Sequence, residues 1–412
     1  MSIKLRCSDN SISYNYGMGS CFLIFIGATI LSYLYVNITG LYNGDFGGVS
    51  TELSRLDLAV VLLLTLLPYV VLFFFYVFFK SISLGNERKV IITTSRRVTY
   101  LFCLILIWYL FVTFYFGVGL MGQGDVGVPA FISPFIKIIN RINPFYLGVL
   151  FILVHEGSKK VLFFIVIALA VLGLSRAGIG VFLYIIMAFF VRLNFSPTSY
   201  VKKYPIRFIL LIFIFPSFIG TIYDIRNELR DEILVSSLSI FELVFIKLIG
   251  RFSSFPNLAM IIQENIYFIN NLPNLSENYF MLHGFAAVAG VSVIPDVIPE
   301  RLLINIFGGD LFDKSYMVGF FGNLYISYLK SPIICVYNLF FLFLCILITY
   351  VYSIKLRFKY SVEYATLLLI YPMTSGSSLE FSTLALSVFL FYCVFRGINI
   401  ILSQMKRRYV LE

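Results

Sequence analysis

The sequence predicts an all-α polytopic membrane protein, and three observations carry that prediction. Hydrophobic residues make up 60% of the 412 and charged residues only 13%, with a mean hydropathy of +0.93. Soluble domains carry about 25% charged residues and under ~50% apolar ones, so this much apolar surface exceeds what a water-soluble core can hide. The apolar residues fall in runs of near-membrane length separated by short charged connections, and the charge of those connections alternates in phase along the chain. A β-barrel would instead show alternating segments of about ten residues.

In chain order, the expected spans are about 20–41, 58–79, 98–118, 144–157, 161–175, 179–193, 207–222, 332–353, 362–376 and 380–396, about ten in all. Several are shorter than the ~20 residues a helix needs to cross hydrocarbon and extend through polar ends. Lys4 and Arg6 precede an apolar run from about Cys21, but no small-residue cleavage site comes after it. That run is therefore predicted as the first transmembrane helix rather than a signal peptide. The six cysteines, Cys7, Cys21, Cys103, Cys335, Cys345 and Cys393, show no CxxC spacing and all lie outside residues 223–315. That pattern argues against a zinc site.

Alternating the connections between two sides puts twenty Lys and Arg on one side against five acids (Asp9, Glu87, Glu156, Glu363 and Glu412), a net +15. The other side keeps 11 basic and 16 acidic residues, a net −5. The positive-inside rule makes the first side cytoplasmic, with both termini there. The formal charge of +10 then lies against anionic lipid headgroups, and a nucleic-acid role has no support.

The chain reads as a single integral membrane domain, 1–412, with residues 223–315 as one large exterior loop. Residues 226–252 mix Ile, Leu, Val and Phe with charges and read as amphipathic helix on the membrane surface. Pro256, Pro273, Pro295 and Pro299 break the remainder of the loop into short pieces. Tyr316 to Leu329, with Gly319 and Gly322, reads as a re-entrant or interfacial helix.

Candidate chemistry lies on the exterior side. Arg176, in Ser175-Arg176-Ala177-Gly178, falls at the exterior edge of two spans. An ionisable residue at that depth is a functional candidate, snorkelling to lipid phosphate being the alternative, and a guanidinium there suits a phosphate group. Arg226 and Arg230 share a helix face at i,i+4 spacing and are candidate substrate ligands, with pairing to Glu228, Asp231 and Glu232 as the alternative. Arg251 follows Gly250 in an aromatic stretch and is a third. His283 is a candidate proton acceptor; Asp296, Glu300, Asp310 and Asp313 are the competing carboxylates. His155, beside Glu156, reads as structural. Nucleotide-binding and zinc-hydrolase motifs are absent, and neither a metal nor a cofactor is expected.

About ten spans, one large exterior loop in the second half and a Ser-Arg-x-Gly turn before it together resemble the O-antigen polymerase (Wzy) family. That family lies within the bacterial O-antigen polymerase and ligase superfamily. Ser175-Arg176-Ala177-Gly178 is similar to the superfamily's arginine motif, Arg226 or Arg230 matches the position of its second functional arginine, and His283 falls where ligases keep a loop histidine. The paired pattern of an arginine, ten residues and a glycine, found in some members, does not follow Arg176, Arg226, Arg230 or Arg251.

The resemblance implies a metal-independent glycosyltransferase of the bacterial inner membrane, with its large loop in the periplasm. Its substrate would be an oligosaccharide repeat unit on undecaprenyl diphosphate, and its partners membrane lipids and a chain-length regulator. A flippase or exporter of the same lipid-linked unit, or an O-antigen ligase, are the alternatives. Alkaline phosphatase fused after Asn271 should be active and after Lys203 inactive; the reverse pattern would invert the orientation.

Overall fold

The computed structural model describes residues 15–83, 96–118, 142–175, 180–207, 252–289, 297–306 and 316–411, with scattered positions between them. The described residues are predominantly helical and contain no strand beyond one isolated bridge, Leu41 to Ser50. The helices are α1 (Tyr16–Thr39), α2 (Arg55–Ser83), α3 (Arg96–Phe116), α4 (Pro144–Val154), α5 (Lys159–Ser175), α6 (Gly180–Arg192) and α7 (Pro197–Lys203). After them come α8 (Phe255–Gln263), α9 (Asn265–Asn271), α10 (His283–Ala289), α11 (Pro299–Asn305) and α12 (Phe320–Lys330). The chain closes with α13 (Pro332–Lys355), α14 (Ser361–Ser375) and α15 (Ser378–Leu411).

Four of these helices are long and apolar enough to cross a membrane: α1, α2, α13 and the Ser378–Ile398 part of α15. They become five if α6 and α7, bent by 78° at their junction, form one span. Nine of the ten expected spans contain a helix; the tenth, 207–222, lies mostly outside the described residues.

Why several helices are short is clearest in α14. Every residue of it except Tyr371 is buried, because α2, α13, α15, α6 and α12 surround it. It is covered by protein, so the bilayer thickness does not set its length. Several of its polar side chains are paired with tyrosines of neighbouring helices. The Tyr350 hydroxyl meets Thr366 at 2.9 Å, the Tyr69 hydroxyl meets Thr374 at 2.7 Å, and the Tyr364 hydroxyl donates to the Tyr146 carbonyl at 3.1 Å. Pro372 lacks the N–H that would bond the Leu368 carbonyl four residues back. The Tyr184 hydroxyl, from α6, points at that freed carbonyl at 3.4 Å.

The two ends of the bundle differ. At one end Lys80 binds Glu363 at 2.6 Å, and Arg192 donates to the Ile152 and His155 carbonyls at 2.6 and 2.5 Å. Asn15 donates to Val191 there, and the Tyr360 hydroxyl to Arg192. His155 caps α4 and stacks on Phe151, the structural place expected of it. The segments that gather here are those the charge pattern puts on one side. Beyond the bend, α7 carries Lys202 and Lys203, and the Tyr204 ring lies beneath Lys203 (5.3 Å) and Arg207 (4.9 Å).

The opposite end carries a second hydrophobic core. Phe255, Leu258, Phe268, Tyr279, Phe280 and Leu303 pack with Val36, Tyr42 and Leu58 over the ends of α1 and α2. Gln263 accepts from the Tyr42 hydroxyl at 2.8 Å and from the Glu52 N–H at 2.9 Å, tying this part to the first connection. Gly44 and Gly250 touch backbone to backbone; a Cβ on Gly250 would lie 2.0 Å from the Gly44 Cα. The described part of the loop is therefore a folded cap. Residues 226–245 lie outside the described residues.

The re-entrant or interfacial helix expected near 316–329 is α12. It forms a tight hairpin with α13 across Ser331, whose side chain accepts from the Ile333 N–H. One end of α12 reaches the cap, where Lys330 donates to the Leu272 carbonyl at 2.6 Å. The other reaches down to the turn between α14 and α15, where Val318 and Gly319 both donate to the Ser375 carbonyl at 3.0 Å.

Removing one partner of a buried ion pair leaves an uncompensated charge, at a cost of about 3–5 kcal/mol. Glu363 is 1% exposed, so Lys80→Met should lower the thermal midpoint in detergent strongly, and adding Glu363→Gln should restore most of it.

Candidate functional site

The turn 375–380, Ser-Gly-Ser-Ser-Leu-Glu, joins α14 to α15 and lies recessed beneath the cap. Gly376 holds φ +70, and a Cβ there would lie 2.1 Å from the Gly319 carbonyl, so both the dihedral and the approach require glycine. Asn323 donates to the Ser378 hydroxyl at 3.0 Å and to the Gly376 carbonyl at 2.5 Å, and Asn338 donates to Asn323 at 3.1 Å. Asn338 lies six residues into α13, which places the turn about 9 Å below the start of that helix.

Two carboxylates meet at this turn. Glu380 stands in the first turn of α15, where the helix dipole favours negative charge, and accepts from the Ser375 hydroxyl. Glu300, from α11, comes down from the cap. It is 5% exposed, and its Oε1 accepts from the Tyr279 hydroxyl at 2.5 Å. Its Oε2 is buried with no hydrogen-bond partner among the described residues. The two acids are close enough for their charges to interact, and the Ser377 hydroxyl lies beside Glu300 and Tyr279.

Burial pushes the Glu300 carboxyl above its ordinary value; the Tyr279 and Ser377 hydroxyls and neighbouring Arg301 oppose this without reversing it. Burial likewise drives the Tyr279 phenol well up, and the charge of Glu300 adds to it. Tyr146, Tyr184 and Tyr371 form the aromatic wall around Glu380. Glu380, Ser377 and Tyr371 are each only partly buried, so the surface they share is a crevice, with Glu300 behind it.

Of the residues singled out from sequence, Arg176, Arg226, Arg230, Arg251, Asp296, Asp310 and Asp313 lie outside the described residues. The residues flanking Arg176 are placed: α5 ends at Ser175, and α6 begins at Gly180, where a Cβ would lie 3.9 Å from the Tyr371 ring. His283 opens α10; its side chain lies outside the description. Next to it, Gly284 packs directly on α15, where a Cβ would come within 2.3 Å of the Ser382 hydroxyl. The helix that begins with His283 thus lies against the first turns of the helix that carries Glu380.

Glu300 is the one competing carboxylate with a described environment, and it is a buried one. Glu380 and Asn323 escaped the sequence reading. Glu380 had two signals: an acid at the head of an apolar run, and the Ser-x-x-Glu spacing of Ser377 to Glu380. Asn323 sits in an aromatic stretch and had none. Among the described residues no three His, Cys, Asp or Glu side chains gather as metal ligands.

Comparison with protein-family models, curated proteins and solved structures finds no match to this chain.

A carboxyl that binds its proton more tightly folded than unfolded stabilises the fold at acidic pH, and that contribution disappears as pH rises through the folded value. The thermal midpoint in detergent should therefore fall from acidic to alkaline pH, and Glu300→Gln should flatten the fall. An unchanged slope in that variant would assign the titration to another group.

Proposed function

We propose that this chain is a glycan polymerase of the bacterial inner membrane, with about ten spans and residues 223–315 on the periplasmic side. It transfers a growing chain from undecaprenyl diphosphate to the free end of a new lipid-linked repeat unit. The observation that carries the reading is the recessed crevice of hydroxyls, tyrosines and a carboxylate at the capped end of an apolar bundle. Such a crevice offers a sugar hydroxyl both a stacking surface and a proton acceptor at membrane-edge depth.

In this reading the arginines Arg176, Arg226, Arg230 and Arg251 hold the diphosphate. A fixed guanidinium binds the leaving group more strongly as its charge grows in the transition state. His283 stands beside the crevice helix as a second proton-handling group, and a chain-length regulator acts as partner. An exporter of the same lipid-linked unit is the second reading. It is favoured by the carboxylates Glu300 and Glu363 inside the protein, which are characteristic of ion-coupled carriers.

The surface lipopolysaccharide of a deletion strain separates the two. A polymerase leaves one repeat per lipid A core, whereas an exporter leaves none. Arg176→Ala should abolish the ladder with normal protein on a membrane immunoblot, and Arg176→Lys should restore part of it. Loss of one such donor costs on the order of 3 kcal/mol, about a hundredfold in rate. Full ladders from Arg176→Ala would end that role.

A further inference from the structure

We infer, independently of the reaction at the crevice, that the segment from α7 to Arg207 is a preorganised binding site for the phosphate headgroup of an anionic phospholipid. Three features meet there: a segment fastened to the bundle, a cluster of cations without a counter-ion, and exposed apolar side chains beside them.

The fastening starts in the sequence. Asn194 adopts the left-handed conformation (φ 49), which asparagine tolerates better than most residues. The Phe195 N–H then donates to the Phe190 carbonyl at 2.9 Å, and Pro197 opens α7 at 78° to α6. Helix α1 clamps this bend. The Tyr16 N–H donates to Asn194 Oδ1 at 2.6 Å, and the Ser20 hydroxyl donates to the Phe195 carbonyl at 2.9 Å. Pro205 ends α7, because the residue before a proline is pushed out of the helical region; Tyr204 there has φ −137 and ψ 59. A ladder of rings runs along the segment: Phe190 on Phe195 (4.5 Å), Phe195 on Tyr200 (5.5 Å) and Tyr200 on Tyr204 (5.4 Å).

The cations stand at the end of that ladder. Lys203 Nζ and the Arg207 guanidinium lie 5.3 and 4.9 Å from the centre of the same Tyr204 ring, within the range of cation–π attraction. One ring thereby gathers two like charges, and Lys202 is exposed beside them. Arg192, at the end of α6, gives its donors to the Ile152 and His155 carbonyls. By contrast, no carboxylate among the described residues pairs with Lys202, Lys203 or Arg207. The chain offers none nearby, since residues 157–223 contain neither Asp nor Glu. Cations held at fixed spacing without an internal counter-ion are complementary to phosphate, and a guanidinium fork can take two of its oxygens.

A soluble phosphate and a lipid phosphate share that chemistry, and the neighbouring side chains select the lipid. Leu193, Ile206 and Leu210 are exposed on the same stretch. A soluble phosphorylated partner would leave them in water, whereas the acyl chains beneath a headgroup would cover them. Exposed apolar residues interleaved with Lys and Arg are the composition of a segment that lies in a membrane interface.

The test is native mass spectrometry of the full chain in detergent, titrated with dioleoylphosphatidylglycerol or with zwitterionic dioleoylphosphatidylcholine. The anionic lipid should bind more tightly; equal affinities would overturn the site. A cation near anionic headgroups is worth about fivefold in binding, so Lys203→Gln with Arg207→Gln should weaken phosphatidylglycerol about thirtyfold. Phosphatidylcholine should be unaffected. Lys159→Gln with Lys160→Gln removes the same charge from exposed residues of α5 at the same end of the bundle, and should leave binding nearly unchanged. Equal losses from the two double variants would mean diffuse attraction and overturn the site. Tyr204→Phe keeps the ring and should bind as wild type does. Tyr204→Leu keeps every charge and should weaken binding about fivefold. Wild-type binding by Tyr204→Leu would overturn the preorganisation. Inorganic phosphate at the concentration of the lipid should not displace it; displacement would make this a site for soluble anions and overturn the lipid assignment.

Discussion

A helix enclosed by protein must find a partner for each polar group it carries, and α14 imposes that constraint on the rest of this molecule. It crosses the centre of the bundle with hydroxyls on several faces and a proline near its end. Tyr69 of α2, Tyr350 of α13 and Tyr184 of α6 each send a hydroxyl to it from a different direction. An unmet polar group in a dry interior costs far more than a typical contact returns. These tyrosines therefore fix which faces of the surrounding helices point inward, and apolar packing fills the space between them.

The same constraint builds the crevice. α14 ends at Ser375, whose carbonyl receives two N–H groups from the chain entering α12. That junction draws α12 into the bundle, and Asn323 and Asn338 complete the hydrogen bonding of the turn. The cap then rests on the recess, with α10 on α15 and the Tyr316 N–H bonded to the Glu300 carbonyl. Glu300 reaches the interior because it rides on a folded cap with its own apolar core, an anchorage a loose surface loop would lack.

Much of this was legible in the sequence, and the boundary has a physical origin. Hydropathy and charge report on contact with lipid and with the two membrane faces, so the long helices and the gathering of Lys80, His155, Arg192 and Tyr360 at one end were readable. The interior position of α14 was not. A helix surrounded by protein and a short span have similar compositions, and only the tyrosines of other helices distinguish them. The cap was visible only as proline-broken pieces, because the contacts that fold it, such as Gln263 to Tyr42 and Gly44 to Gly250, join residues more than two hundred positions apart. Glu300 was readable as one acid among several; its pairing with Glu380 depends on that long-range folding. The arginines seen in the sequence flank or precede the described cap, so their relation to the crevice comes from chain position alone.

The bend between α6 and α7 also sets a depth. Beyond a 78° turn, α7 runs across the bundle rather than along it, and Tyr204 lies among Lys203 and Arg207. An amphipathic ring among cations is most stable where hydrocarbon gives way to headgroups, which is the depth this segment favours in a bilayer. From that waterline the crevice can be sounded. Seventeen residues of α13 separate Asn338 from Lys355, a rise of about 26 Å. In a hydrocarbon layer about 30 Å thick, this puts the floor of the crevice just under the opposite headgroups. A group bound at this turn would therefore sit at the depth where hydrocarbon gives way to headgroups, within reach of a molecule held in the same leaflet.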